Sequence, residues 1–315
     1  MSSHPARPLI LVFLCATLAA FSNRAHAAFG FVKGHDYTTN YFSRTITEFT
    51  SSGASVATIT LPASACDELR GLTFAPGGLL YTTAVVGSGF NVLALNSAGV
   101  IQKTYTAPTV YAAGNLSFGK IAVDDQYLYV GAQDNLTRFA IGGSGSGTTI
   151  YTDNQIYDIK VLPSGNLLVA SAYNIKEITT GGAIIRTFNP QGIFFADIRG
   201  IEYNAATNDL FVTMLGYSGQ SFQLMRFDAT SGVLEKQITF NYADDLFLTS
   251  TGTLLVGSRT QTPGIFDQEL IQVGSLGSAS QMFVTQNTVP EPATTGLWLA
   301  GAALIGLRRT RAVIG

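Results

Sequence analysis

Cysteine and histidine are nearly missing from this sequence, with two of the first and three of the second in 315 residues. Cys15 falls inside an apolar run near the N-terminus. That leaves Cys66 alone in the body of the chain and excludes an intramolecular disulfide there. Only His35 lies beyond the first 27 residues, which excludes a histidine-based triad or a multi-histidine metal site. Charge is equally scarce, at 12% of residues. Between residues 28 and 288 there are 13 basic and 19 acidic side chains, a net of −6. That balance argues against nucleic acid or anionic lipid as a general partner. The sequence also lacks a Gly-x-Ser-x-Gly elbow, a His-Glu-x-x-His pair and a Walker loop. No long amphipathic helical pattern occurs in the body. Stability must come from packing.

The two chain ends read as addresses. At the start, Arg7 supplies a basic flank and Leu9 to Phe21 an apolar core. Ala25-His26-Ala27 then forms a small-x-small cleavage site, so residues 1–27 are expected to be a signal peptide with a helical core. Cys15 is preceded by Leu14 inside that core, which is the wrong setting for a lipoprotein cysteine. At the other end, Val289-Pro290-Glu291-Pro292 leads into an uncharged run from Ala293 to Leu307, closed by Arg308, Arg309, Thr310 and Arg311. The run is shorter than the roughly 20 residues that span a bilayer comfortably. The arginines have the character of a cytoplasmic stop, so a single transmembrane helix is expected.

This tail, residues 289–315, resembles the PEP-CTERM sorting signal of Gram-negative bacteria, with Pro290, Glu291, Pro292, Arg308, Arg309 and Arg311 as its motif residues. The resemblance implies export, passage through the inner membrane, and recognition and cleavage by an exosortase. It also implies a final place at the cell surface or outside the cell, often in species that make extracellular polysaccharide.

Residues 28–288 read as one all-β domain. A Leu-apolar pair recurs at Leu80-Tyr81, Leu128-Tyr129, Leu167-Leu168, Leu210-Phe211 and Leu254-Leu255, with spacings of 48, 39, 43 and 44 residues. A second strand and a Gly/Ser turn follow each pair, at Val92–Leu95, Leu136–Phe139, Ile175–Ile178, Leu224–Phe227 and Leu270–Val273. A sixth copy, Ile46–Phe49, has no clear pair before it. A period near 44 with four short strands per unit is a β-propeller pattern. Six blades of four antiparallel strands are expected, closed by strands from both chain ends, with seven as the alternative if residues 29–43 contribute more. In repeat grammar, without a diagnostic motif, the body resembles secreted NHL and SMP-30-like (lactonase-like) propellers.

The chemistry is sparse. Gly142–Gly147 matches no phosphate-binding fingerprint and reads as a hairpin loop, and Cys66, beside Asp67 and Glu68, reads as a structural thiol. Aligning the strand before each Leu pair puts Gly71, Lys120, Asp158, Gly200 and Asp245 at one level of the central channel, preceded by Arg70, Gly119, Tyr157, Arg199 and Asp244. The ligand-binding candidates at a channel mouth are therefore Arg70, Lys120, Tyr157, Asp158, Arg199, Asp244 and Asp245. Arg70 and Arg199 suit an anionic group. Asp158, Asp244 and Asp245 suit Ca²⁺, though no cofactor is required.

Three functions stay open on these residues. The leading one is a non-catalytic binding or matrix module for polysaccharide or a surface protein. The resemblance to lactonase-like propellers implies the second, a metal-dependent hydrolase using a channel metal. The third is a structural or assembly component. Whether the chain is an enzyme stays open, with the sequence leaning against it.

Overall fold

A computed structural model describes residues 29–40, 43–87, 89–106, 119–172, 174–188, 197–215, 222–277 and 281–288. The expected signal peptide and C-terminal transmembrane helix lie outside the described residues. Blade 1 contains β1 (Asp36–Asn40), β2 (Thr45–Phe49) and β3 (Ser55–Thr60). Blade 2 has β4 (Glu68–Phe74), β5 (Leu80–Val86), β6 (Gly89–Leu95) and β7 (Ile101–Thr106). In blade 3 the strands are β8 (Ile121–Val123), β9 (Tyr127–Ala132), β10 (Asn135–Ala140) and β11 (Thr148–Thr152). Blade 4 is built from β12 (Asp158–Val161), β13 (Leu167–Ala170), β14 (Ile175–Ile178) and β15 (Ile184–Phe188). Blade 5 uses β16 (Asp197–Asn204), β17 (Asp209–Leu215), β18 (Gln223–Asp228) and β19 (Leu234–Thr239). Blade 6 uses β20 (Ala243–Leu248), β21 (Leu254–Ser258), β22 (Gly264–Phe266) and β23 (Gln272–Ser275). The last strand, β24 (Gln281–Gln286), returns to blade 1 and pairs with β1 as its innermost strand.

All six sheets are four-stranded and antiparallel, and their inner strands β24, β4, β8, β12, β16 and β20 pack in a closed ring. This is a six-blade β-propeller, and the ring is closed by strands from both ends of the body.

The Leu pair has a simple cause. Successive residues of a strand point to opposite faces, and the second strand of each blade is sandwiched between neighbours. Leu80 packs with Tyr37 and Ile46 of blade 1, while Tyr81 packs with Leu128 and Val130 of blade 3. Leu167 joins Tyr129 and Leu136 of blade 3, and Leu168 joins Leu210 and Val212 of blade 5. Leu210 faces back to blade 4 and Phe211 forward to Leu246 and Leu254. The pair is thus one residue of core for each interface. A fully buried side chain of this size contributes about 1.5–3 kcal/mol through lost water contact.

Blade 1 departs from the pattern. By register with the inner strand, Asp36 on Gln286 stands where Leu80 on Phe74, Leu167 on Val161 and Leu254 on Leu248 stand elsewhere. Its pair is Asp36-Tyr37, not Leu-apolar, and Tyr37 takes the forward place toward blade 2.

Blade 6 corrects one strand position. Its third strand is Gly264–Phe266, whereas the run Leu270–Val273 begins in a turn and continues into outer strand β23. Leu270 is buried at a φ of 55°, so its side chain plugs the core from a turn. Elsewhere the outer hairpins turn on glycine as expected. Gly182 has a φ of 91°, and a Cβ there would meet the Ile150 carbonyl oxygen of the preceding blade at 1.8 Å.

Candidate functional site

The five aligned channel positions are equivalent in the fold, and β24 supplies the sixth, Phe283. Each stands three residues before the inner-strand partner of its blade's Leu80-type position. They link neighbouring blades. Asp158 accepts from the Ile201 amide of blade 5 at 2.8 Å, and Asp245 accepts from the Val284 amide of blade 1 at 2.9 Å. Where the position is glycine, the next strand comes closer. Gly71 donates its amide to Gly119 O at 3.2 Å, and a Cβ there would lie 2.6 Å from that same oxygen.

All seven candidate residues are buried. Lys120 Nζ is ion-paired with Asp245 Oδ1, donates to the Asp244 carbonyl at 3.0 Å and stands 4.0 Å from Asp158 Oδ1. It also lies over the Phe283 ring, 5.2 Å from its centroid. Asp244 turns the other way, where Arg259 clamps both its carboxylate oxygens. Arg70 is paired with Glu68 on its own strand. Arg199 binds Asp197 at 2.9 Å and stacks 4.7 Å from the ring centroid of Tyr157, whose hydroxyl donates to Gln155. So Lys120, Asp158 and Asp245 come together, and Arg70, Arg199 and Asp244 are engaged elsewhere. Among the described residues no group of three His, Cys, Asp or Glu side chains is placed to hold a metal ion.

An open cavity lies at the opposite end of these strands. A cavity of about 310 Å³ occupies the trailing half of the channel. Its wall includes Thr285, Thr73, Ala122, Lys160, Glu202 and Phe247, one from each inner strand and each two residues after the aligned level. Side chains two apart share a face of a strand, so the aligned level extends naturally into this second ring. Phe74, Leu248, Gln286 and Thr288 also line it.

Lys160 connects the two levels. Its ammonium binds Glu202 Oε1 at 2.8 Å, donates to the Leu246 carbonyl at 2.7 Å, and stands 3.9 Å from Asp158 Oδ2. A chain of charges therefore runs Asp245, Lys120, Asp158, Lys160, Glu202 across blades 6, 3, 4 and 5, with three carboxylates to two ammoniums. Burial pushes the Asp158 carboxyl up against the pull of Lys120 and Lys160, and it pushes Glu202 up against the pull of Lys160. Burial acts to lower Lys160, but Asp158, Glu202 and Asp245 outweigh it and keep the ammonium charged to higher pH. Glu202 Oε2 takes no hydrogen bond from any described residue.

Sequence reading missed Lys160, Glu202, Phe247 and Gln286. The period-two signal was there, since each of the first three is two residues beyond a position already aligned. Cys66 is fully buried, with burial pushing its thiol up to about 11 against the opposing field of Arg44.

Residues 288–312 match the model of the PEP-CTERM protein-sorting motif. The chain carries this sorting signal. It marks an exported protein, held transiently in the membrane and then passed to the cell surface or beyond, and it implies processing by an exosortase. No curated protein matches the chain. Among solved structures, a chain of the nidogen/laminin complex superposes with a TM-score of 0.61 at 12% identity, covering 81% of this chain and 99% of its own. A protein from Lactobacillus plantarum gives 0.56 at 14% identity, with 80% and 99% covered. A protein of unknown function from Bacteroides caccae gives 0.55 at 12% identity, with 80% and 98% covered. These likenesses concern the fold.

Proposed function

We propose that this exported propeller is a non-catalytic binding module of the cell surface or its polysaccharide matrix, and that it holds a sugar unit in the trailing channel cavity. The cavity wall carries this reading. At about 310 Å³ it is at the small end of ligand pockets, sized for one or two sugar rings. The Phe247 ring offers an apolar face, while Thr73, Thr285 and Gln286 offer neutral donors and acceptors. Glu202 adds a carboxylate oxygen with no protein donor among the described residues, which suits a ligand hydroxyl or ammonium. The carboxylates are paired with lysines, which supports binding over hydrolysis.

The test is a glycan array probed with the processed protein, beside Glu202→Gln and Phe247→Ala. Binding to neutral or amino sugars, weakened about ten-fold or more in both variants, is the expected result for loss of a charged hydrogen bond or a stacking face. Binding that is equal in all three proteins, or confined to sugar acids, overturns the reading.

A further inference from the structure

The sorting motif begins where the cavity ends. Thr288, the first residue of the motif match, lies exposed on the cavity rim, and Asn287 before it is tied by its amide to the His35 carbonyl at 3.0 Å. The apolar run starts at Ala293, only five residues later. Even a fully extended chain covers at most about 18 Å over that interval. The polar headgroup layer takes roughly 5–7 Å on each side of the hydrocarbon core. The cavity mouth therefore stands within roughly 12 Å of the lipid headgroups while the tail is in the membrane.

We infer that the trailing face of the propeller is its membrane-facing surface before processing, so the cavity opens onto the lipid and large ligands reach it only after the tail is cut. The hairpin turns on this face mix signs: Asp124, Asp125, Asp228, Asp267 and Glu269 share it with Lys33, with Arg226 and Lys236 beside Glu269, and with Arg138 and Lys103 on the Thr180 and Gly143 carbonyls. Such a mixed surface has no cluster of lysine and arginine to draw it onto anionic lipid, so the tether imposes the approach. Cleavage then removes both the anchor and the obstruction. The inference concerns access to the cavity and holds whatever ligand the cavity takes.

Single cysteines report this directly, because Cys66 is buried and silent. Thr288→Cys and Thr73→Cys place a thiol at the rim and on the wall, and Thr239→Cys, exposed at the leading end of outer strand β19, is the control. Each variant is labelled with a small maleimide and with a long polyethylene glycol maleimide. One sample is spheroplasts lacking exosortase activity, which keep the anchored chain, and the other is the processed protein. The expected result is that the ratio of large- to small-reagent rates at the mouth falls about ten-fold or more in the anchored chain, since a polymer coil exceeds the gap. The control ratio stays the same in both samples. Equal ratios in the two forms at both Thr288→Cys and Thr73→Cys would overturn the inference, and Thr73→Cys decides alone if the change at Thr288 disturbs processing.

Discussion

Asp36 is a carboxyl buried where five other blades place leucine, and replacing it with asparagine should stabilise the protein above pH 6. Its side chain is 1% exposed, and burial raises it from the ordinary 3.8 to about 6, partly opposed by the Gln286 hydrogen bond at 3.0 Å and by His35. Below about pH 4 both folded and unfolded chains hold the proton, and the site costs nothing. Between about 4 and 6 the unfolded chain releases it while the folded chain keeps it, so stability falls as pH rises. Above 6 the folded chain carries the full penalty, about 3 kcal/mol for a displacement of this size. The amide of the Asp36→Asn variant keeps an acceptor for Gln286 Nε2 and cannot ionise. Urea unfolding of Asp36→Asn and wild type at pH 3, 5, 6 and 7.5 should therefore show no difference at pH 3. By pH 7.5 the variant should gain about 2–3 kcal/mol, equivalent to roughly 5–10 °C in Tm for a body of this size. A gain independent of pH, or a loss at pH 7.5, would refute the reasoning.

Three further outcomes follow from the same coordinates. Lys120→Met leaves Asp245 and Asp158 buried without their shared cation and should cost about 3–5 kcal/mol in urea unfolding; adding Asp245→Leu should recover part of that loss. Cys66 should resist thiol reagents at pH 8 in the native protein and react fully once unfolded, as its burial and raised pKa require. Changing Pro290, Glu291 and Pro292 together to alanine should leave an uncleaved, membrane-retained chain, visible by fractionation and mass; unchanged processing would contradict the assigned role of the motif.

Much of the fold was legible because its cause is local. Each Leu pair marks a strand covered on both faces, and the sequence shows that constraint directly as a recurrence. It fades where a blade satisfies the constraint differently. Asp36-Tyr37 carries no such signal, so blade 1 showed only its third strand, Ile46–Phe49. Leu270 looked like strand because it is apolar, yet it fills the core from a turn. The aligned level of Gly71, Lys120, Asp158, Gly200 and Asp245 was equally legible. What those residues touch was not, because Lys120 meets Asp245 across 125 residues of chain. The cavity at the other end of the same strands depends on how six blades splay, which no single strand records.

The most direct test of the account is where a bound sugar protects the backbone. Amide hydrogen exchange of the processed protein, with and without its best array ligand, reads this strand by strand. The account predicts slowed exchange confined to the trailing ends of the inner strands, around Thr73, Lys160, Glu202, Phe247 and Thr285. Protection on the outer strands, with these segments unchanged, would contradict it.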